Sequence, residues 1–168
     1  MNELIALSTR RLTLKRNEFL KVDGAIDTNI YHIVSGSLRV YIQHENQEQI
    51  IRLGYAGNII SSIDSFISEK PSPLIIQAIK KLEIDVIPKA VVTEFLKKDN
   101  NKLLWIQLLE SLVIQQFERE IDILTYSPKE RYLHVLKRSP QLFQEVPHKH
   151  IANYLRMTPE TLSRLKKS

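Results

Sequence analysis

Near residue 101 the apolar period of this sequence changes, and the change calls for two kinds of structure in one chain. From Asn101 to Leu124, Ile106, Leu109, Val113, Phe117, Ile121 and Leu124 recur every three or four residues, the spacing that places them on one side of an α-helix. Leu104, Leu108 and Leu112 widen the stripe. A run of some two dozen residues at about 1.5 Å each predicts a helix of roughly 35 Å. One small sandwich seldom covers two such stripes, so Ile106, Leu109, Val113, Phe117 and Ile121 are read as a dimerisation face as well as a packing face.

Upstream the pattern is β. Residues 12–87 hold short apolar runs separated by turn signals. Tyr31–Val34 and Leu38–Ile42 read as two strands joined by a short loop at Ser35-Gly36-Ser37. The polar stretch His44–Gln49 separates that pair from Ile50–Leu53, and Leu74–Ile79 with Leu82–Ile87 reads as a further pair around Lys80 and Lys81. Short strands at this spacing indicate a sandwich or barrel. Pro88 stands where a short helix can begin, carrying Val91, Val92, Phe95 and Leu96.

Charge is unevenly placed. Residues 126–168 hold nine Lys/Arg and three Asp/Glu, whereas residues 1–125 hold fifteen and sixteen. The excess positive charge therefore sits in the last quarter of the chain, the electrostatic footprint of a polyanion partner. With no cysteine, disulfides, thiolate metal sites and cysteine-ligated iron–sulfur clusters are excluded. Neither a long apolar span nor a signal-peptide core stands out, so no membrane association is expected and the expected location is the cytoplasm.

The basic segment is rich in helix punctuation. Ser127-Pro128-Lys129-Glu130 supplies an N-cap, a first-turn proline and a glutamate three residues after the cap. The helix it opens carries Tyr132, Leu133, Val135 and Leu136 and ends near Pro140. Pro147 opens the next helix, His148 to Leu155, with Ile151, Ala152 and Leu155 on one face. Arg156-Met157 forms a turn, and Thr158 and Pro159 start a second helix whose Leu162 and Leu165 face back. This is helix-turn-helix spacing, with small Ala152 at the point of closest approach. Glu160, Thr161, Ser163, Arg164 and Lys167 then project outward, and a helix presenting them can enter the major groove. Glu160, Ser163 and Arg164 are the candidates for base reading. His148, Lys149, Lys166 and the cap at Thr158 are suited to phosphates. The turn position usually held by glycine is Arg156, at a cost on the order of 1 kcal/mol.

These residues carry a family resemblance. SPKERYLHVLKRSPQLFQEVPHKHIANYLRMTPETLSRLKK resembles the C-terminal domain of Crp/Fnr regulators, the relatives of the cyclic-AMP receptor protein, in the short branch typical of Bacteroidetes. Leu14–Gly24 and Ile33–Tyr41 are similar to that family's opening strands. The resemblance covers roughly residues 12–168. It implies an α+β fold: a cyclic-nucleotide-binding-like β jelly roll over 1–100, a dimerisation helix over 101–125, and a helix-turn-helix domain of winged-helix type over 126–168. It further implies a homodimer on a near-palindromic double-stranded operator, with RNA polymerase as a candidate further partner.

The effector site implied by the family is poorly represented. Gly57 keeps the glycine of the ribose-binding Gly-Glu pair, but Asn58 replaces the glutamate, and Ile59, Ile60, Ser61 and Ser62 carry no charge. Where an arginine is expected for the phosphate, the chain reads Lys70-Pro71-Ser72-Pro73-Leu74. Gly57, Asn58, Ile59, Ser61, Ser72 and Pro73 therefore outline a degenerate pocket in which a cyclic phosphate would lack its guanidinium partner. No cofactor is expected. His32 and His44 are single, and His148 and His150 are two apart, on different helix faces, so no metal site is expected. Ser, His and Asp occur without a nucleophile's local arrangement, so no enzyme is expected. The sequence reads as a DNA-binding transcription regulator. The rival reading is a small-molecule sensor or protein-interaction module with vestigial DNA binding, suggested by a chain that stops at Ser168 directly after the second helix. The chain also enters its first strand almost at once, so the family's usual leading helices are expected to be missing or reduced.

Overall fold

The computed structural model describes residues 2–45 and 47–167, with Thr125 by its backbone alone. Asn46, inside the polar stretch, and Ser168 lie outside the described residues. The chain divides into two compact units, Met1–Lys102 and Leu103–Ser168.

The first unit opens with α1 (Asn2–Ile5), β1 (Arg10–Leu14), β2 (Phe19–Lys21), β3 (Asn29–Ser35), β4 (Ser37–His44), β5 (Gln47–Tyr55) and β6 (Ile59–Ser61). It continues through α2 (Ile63–Ser68), β7 (Ile75–Ala78), β8 (Leu82–Pro88), α3 (Lys89–Phe95) and the start of α4 (Asp99–Thr125). The strands form two four-stranded antiparallel sheets, ordered β1-β8-β3-β6 and β2-β7-β4-β5. Ile33, Leu38, Ile60, Ile76, Leu82, Ile84 and Val86 fill the core, the burial expected of alternating β-branched and leucine side chains on facing sheets.

Two expected strand pairs are corrected by this topology. Tyr31–Val34 and Leu38–Ile42 do not bond to each other: β3 pairs with β8 and β6, and β4 pairs with β5 and β7. Ser35-Gly36-Ser37 is a corner at which the chain passes from one sheet to the other. Lys80-Lys81 is the return corner between β7 and β8, which also lie in different sheets. A short turn signal is the same for a hairpin and a corner, and only the distant partner strand decides between them. The hairpin is β4–β5, whose register runs from Ser37↔Tyr55 to His44↔Gln47, so most of the polar stretch is strand.

The two corners hold each other. Ser37 O accepts the N–H groups of Ile79 at 2.8 Å and Lys80 at 3.3 Å. Gly36 has φ +86, and a Cβ there would stand 2.0 Å from the Lys81 carbonyl oxygen. Gly57 also has positive φ, at +87, but open space around it.

The second unit continues α4 and adds α5 (Pro128–Arg138), α6 (Leu142–Glu145), α7 (His148–Tyr154) and α8 (Pro159–Leu165). The predicted cap of α5 is present: Ser127 Oγ accepts from Glu130 N, and Glu130 Oε2 accepts from Ser127 N at 2.9 Å. Val135, Leu142, Val146, Ile151, Ala152, Leu155 and Leu162 are buried. An ion pair ties α4 to α5: Asp122, only 3% exposed, accepts from Arg138 Nη2 at 2.8 Å. Glu118 Oε2 stands 3.5 Å from Arg138 Nη1, and His134 Nδ1 3.5 Å from Asp122 Oδ1. Among the described residues no helix is long and apolar enough to cross a membrane.

Three substitutions test this account. Gly57→Ala is expected to cost about 1 kcal/mol, from φ alone. Gly36→Ala is expected to cost about 3 kcal/mol or more, because backbone must also move. Urea titrations followed by circular dichroism compare them, and equal costs would disprove the corner contact. Asp122→Ala is expected to destabilise the second unit by about 2 kcal/mol, read by Trp105 fluorescence, with the apolar pair Asp122→Leu/Arg138→Met recovering most of the loss.

Candidate nucleic-acid interface

In the second unit, α7 follows Pro147 and buries Ile151, Ala152 and Leu155. After it the chain turns sharply at Arg156, whose φ of 55 is the left-handed conformation expected at this position. Arg156 N–H donates to Asn153 O and Met157 N–H to Ala152 O, each at 3.0 Å, so the strained residue closes the carbonyl end of α7. Thr158 then caps α8, its Oγ1 accepting from Thr161 N at 3.2 Å, and Pro159 takes the first turn. Leu162 is fully enclosed and Leu165 half-buried.

With that face inward, Glu160, Ser163 and Arg164 are exposed at the three- and four-residue intervals that form one helical stripe, and Lys167 is exposed in the turn just past the C-cap Lys166. Thr161 is half-buried, with its hydroxyl 3.2 Å from that of Thr158, and so serves the cap. The Glu160 carboxyl is held below the usual carboxylate range by backbone hydrogen bonding at the helix start, then by the Thr158 hydroxyl, with Arg164 adding. It is therefore an ionised acceptor. His148, Lys149 and Lys166 are exposed, and Lys166 Nζ lies 2.6 Å from His148 Nε2. The structure thus brings His148 and Lys166, two of the four phosphate candidates, into contact.

Several residues not singled out in the sequence support this pair of helices. Arg119 of α4 stacks on the ring of Tyr154, the last residue of α7, at 5.0 Å from its centroid. Arg131 of α5 reaches backbone oxygens with both terminal nitrogens: Nη1 donates to Tyr126 O at 3.0 Å and to Ile123 O at 3.4 Å, and Nη2 to Arg156 O at 3.4 Å. Sequence spacing offers no signal for them, since the Tyr154 and Arg156 contacts lie 35 and 25 residues away in the chain.

On α4, Ile106, Val113, Phe117 and Ile121 are exposed, Phe117 by 60%, while Leu109 is half-buried. Ile114 and Leu124 extend the exposed apolar surface.

The six effector-pocket candidates lie in the turn before β6, on β6 and in the segment after α2. Gly57 donates to Ile33 O at 2.8 Å and Asn58 O accepts from Ile33 N at 2.9 Å. Asn58 Oδ1 accepts from Tyr55 N at 3.2 Å, so this side chain stabilises its own turn. Ile59 pairs with His32, and Ser61 donates to Asn29 O. Ser72 follows α2 in the chain and returns to the start of that helix, next to Ser62, the neighbour of Ser61, with Pro73 exposed beside it.

At that start, the polar groups are taken by the chain itself. Ser62 Oγ donates to Asp64 Oδ1 at 2.9 Å and stands 3.1 Å from Ser72 Oγ. Burial opposes ionisation of Asp64. Hydrogen bonds from Ser72, Ser62 and backbone N–H groups outweigh it and hold the carboxyl below its usual range. The buried Lys21 ammonium donates to Leu74 O at 2.6 Å, Ser72 O at 2.9 Å and Val22 O at 3.2 Å, and burial draws its pKa down. Sequence reasoning missed Lys21 and Asp64 because neither has a distinctive spacing. No group of three or more His, Cys, Asp or Glu side chains able to hold a metal occurs among the described residues.

The sequence profile of the cyclic nucleotide-binding domain matches residues 11–99, more than half of the chain. No curated protein matches it in sequence. Among solved structures, FixK2 from Bradyrhizobium japonicum aligns with a TM-score of 0.82 at 14% identity, over 94% of this chain and 82% of FixK2. The c-di-GMP responsive global regulator CLP of Xanthomonas campestris aligns at 0.68 and 17% identity, over 99% of this chain and 88% of CLP. The Catabolite Activator Protein of Thermus thermophilus aligns at 0.60 and 16%, over 99% of this chain and 80% of that protein. At these identities the likeness is one of fold. The chain belongs to the cyclic nucleotide-binding domain family, and its fold is that of the Crp/Fnr regulators.

Proposed function

We propose that this protein is a homodimeric, sequence-specific DNA-binding transcription regulator in which α7 and α8 form a helix-turn-helix. The observation that carries the reading is the exposed stripe Glu160, Ser163 and Arg164, followed by Lys167 just past the helix end, on a helix whose other side is closed by Leu162. In a major groove, Arg164 donates in pairs to guanine O6/N7, Ser163 bonds either way, and Glu160 accepts from cytosine N4. Lys149, His148 and Lys166 anchor phosphates and set the register. A carboxylate among cations is unsuited to a purely electrostatic polyanion grip, and it suits base reading. A global regulator and a catabolite activator among the structural neighbours point the same way.

The exposed apolar side of α4 supports a second copy as partner, through Ile106, Leu109, Val113, Phe117 and Ile121. An unsatisfied stripe of this kind loses a large contact free energy if left in water. In this reading residues 1–100 form the sensory-type domain, 101–125 the dimerisation helix and 126–168 the DNA-binding domain. The effector site is degenerate. A cyclic phosphate brought to the start of α2 would meet the ionised Asp64 and no arginine, and an anion facing a carboxylate is repelled.

Duplexes selected from a randomised library by the wild-type protein provide the probe. Arg164→Ala is expected to weaken binding by about 1–3 kcal/mol and relax one base preference, whereas Lys149→Ala weakens all duplexes alike and lowers the salt slope by about one. Loss of affinity on neither substitution, or no selection at all, would overturn the assignment. Cyclic AMP or cyclic GMP at millimolar concentration is expected to leave the melting temperature unchanged, and a clear rise would show a working nucleotide site.

A further inference from the structure

We propose that Arg131 is the positioning residue that sets the reading helix against the end of α4, by bridging the carbonyl end of α4 to the left-handed turn between α7 and α8. The inference rests on the DNA-binding reading above.

Arg131 lies on α5, outside the helix pair that would meet DNA, and is half-buried. Its guanidinium is divided between two elements. Nη1 takes Tyr126 O at 3.0 Å and Ile123 O at 3.4 Å, at the C-terminal end of α4, where carbonyls lack helical partners and a cation is favoured. Nη2 takes Arg156 O at 3.4 Å, in the one turn of this pair that holds a non-glycine residue at φ 55. The planar fork of an arginine presents two terminal nitrogens in a fixed relation, one to each element, whereas a lysine's ammonium donates from a single point.

The geometry is a compromise of the kind a bridge requires. Arg131 Nε is buried without a hydrogen-bond partner, although a side chain free to satisfy itself would avoid such an orphan. A second contact acts in parallel from α4, where Arg119 lies over the Tyr154 ring just before the turn. Because α4 also carries the apolar stripe assigned to the partner copy, a rigid link from its end to the turn fixes how far apart two reading helices stand. In a dimer on a two-part operator, that separation decides which half-site spacing is bound.

The test uses the full-length protein and a duplex enriched from a randomised library by the wild type, remade with its half-sites one base pair closer and one farther apart. Arg131→Met is expected to weaken the selected duplex about tenfold and to flatten the preference among the three spacings, with the salt slope and the dimer mass unchanged. A head that is merely less stable would lower affinity for all three spacings by the same factor and leave their ratio intact, so an unchanged ratio overturns the proposal. A salt slope reduced by about one would mean that Arg131 itself contacts phosphate, and would also overturn it. Arg131→Lys keeps the charge without the fork. It is expected to behave like Arg131→Met, and full recovery with lysine would refute the bridge. Should Arg131→Met fail to fold, Arg131→Lys is judged by the same spacing ratio. If the wild type enriches no duplex, the DNA-binding reading fails instead, before any variant is compared.

Discussion

The two-sheet body depends on one close approach. At Gly36 the backbone comes so near the Lys81 carbonyl that no side chain fits between them. Two of the corners that carry the chain from one sheet to the other meet there, joined through Ser37 O. β3 and β4 leave this point into different sheets, as do β7 and β8, so their side chains face one another across the core instead of lying side by side. Ile33 from β3 and Leu38 from β4, both wholly buried, are the consequence. A residue with a Cβ at position 36 would separate the corners and loosen the packing between them.

The same point explains which parts of the architecture could be read from sequence. Ser127-Pro128 with Glu130, and Thr158-Pro159, are local signals, because an N-cap and a first-turn proline satisfy donors within four residues. The helices they announce are present, and the left-handed turn stands at Arg156 as expected. Strand pairing is not local. Ile33 meets Ile84 in the sheet, and nothing within Tyr31–Ile42 distinguishes a hairpin from a corner. In the site, the exposed stripe on α8 followed from helical period, because one buried leucine fixes which neighbours face water. Thr161 departed from it, being drawn into the cap. Arg119, Arg131, Asp122 and Arg138 were not legible, since a polar residue on a helix looks the same whether it faces solvent or a neighbouring helix. Lys21 and Asp64 were missed for a related reason, as their partners are backbone groups and serines brought near only by folding.

α4 carries two surfaces of different chemistry, and the difference bears on what each holds. Ile106, Val113, Phe117 and Ile121 form an exposed apolar stripe, a contact that is non-directional and tolerant of small shifts. Asp122 and Arg119 engage Arg138 and Tyr154 through a charged hydrogen bond and a stacked guanidinium, both of which demand defined geometry. An apolar stripe suits association with another copy, where buried area matters most. The polar contacts suit orientation, because breaking one partner of a buried pair costs more than the pair contributes to stability. The helix thereby combines an adaptable surface with a specifying one.

This division also bears on what the first unit still does. The start of α2 is closed by Ser62, Ser72 and Asp64, and the Lys21 ammonium holds three carbonyl oxygens beside it. Each of these groups is satisfied within the chain, so a ligand must break internal hydrogen bonds to enter. A buried charge left unpaired costs far more than a neutral group, so a neutral ligand that displaced the carbonyl oxygens from Lys21 would pay most there. The hydrogen bonds among these groups hold the start of α2 closed.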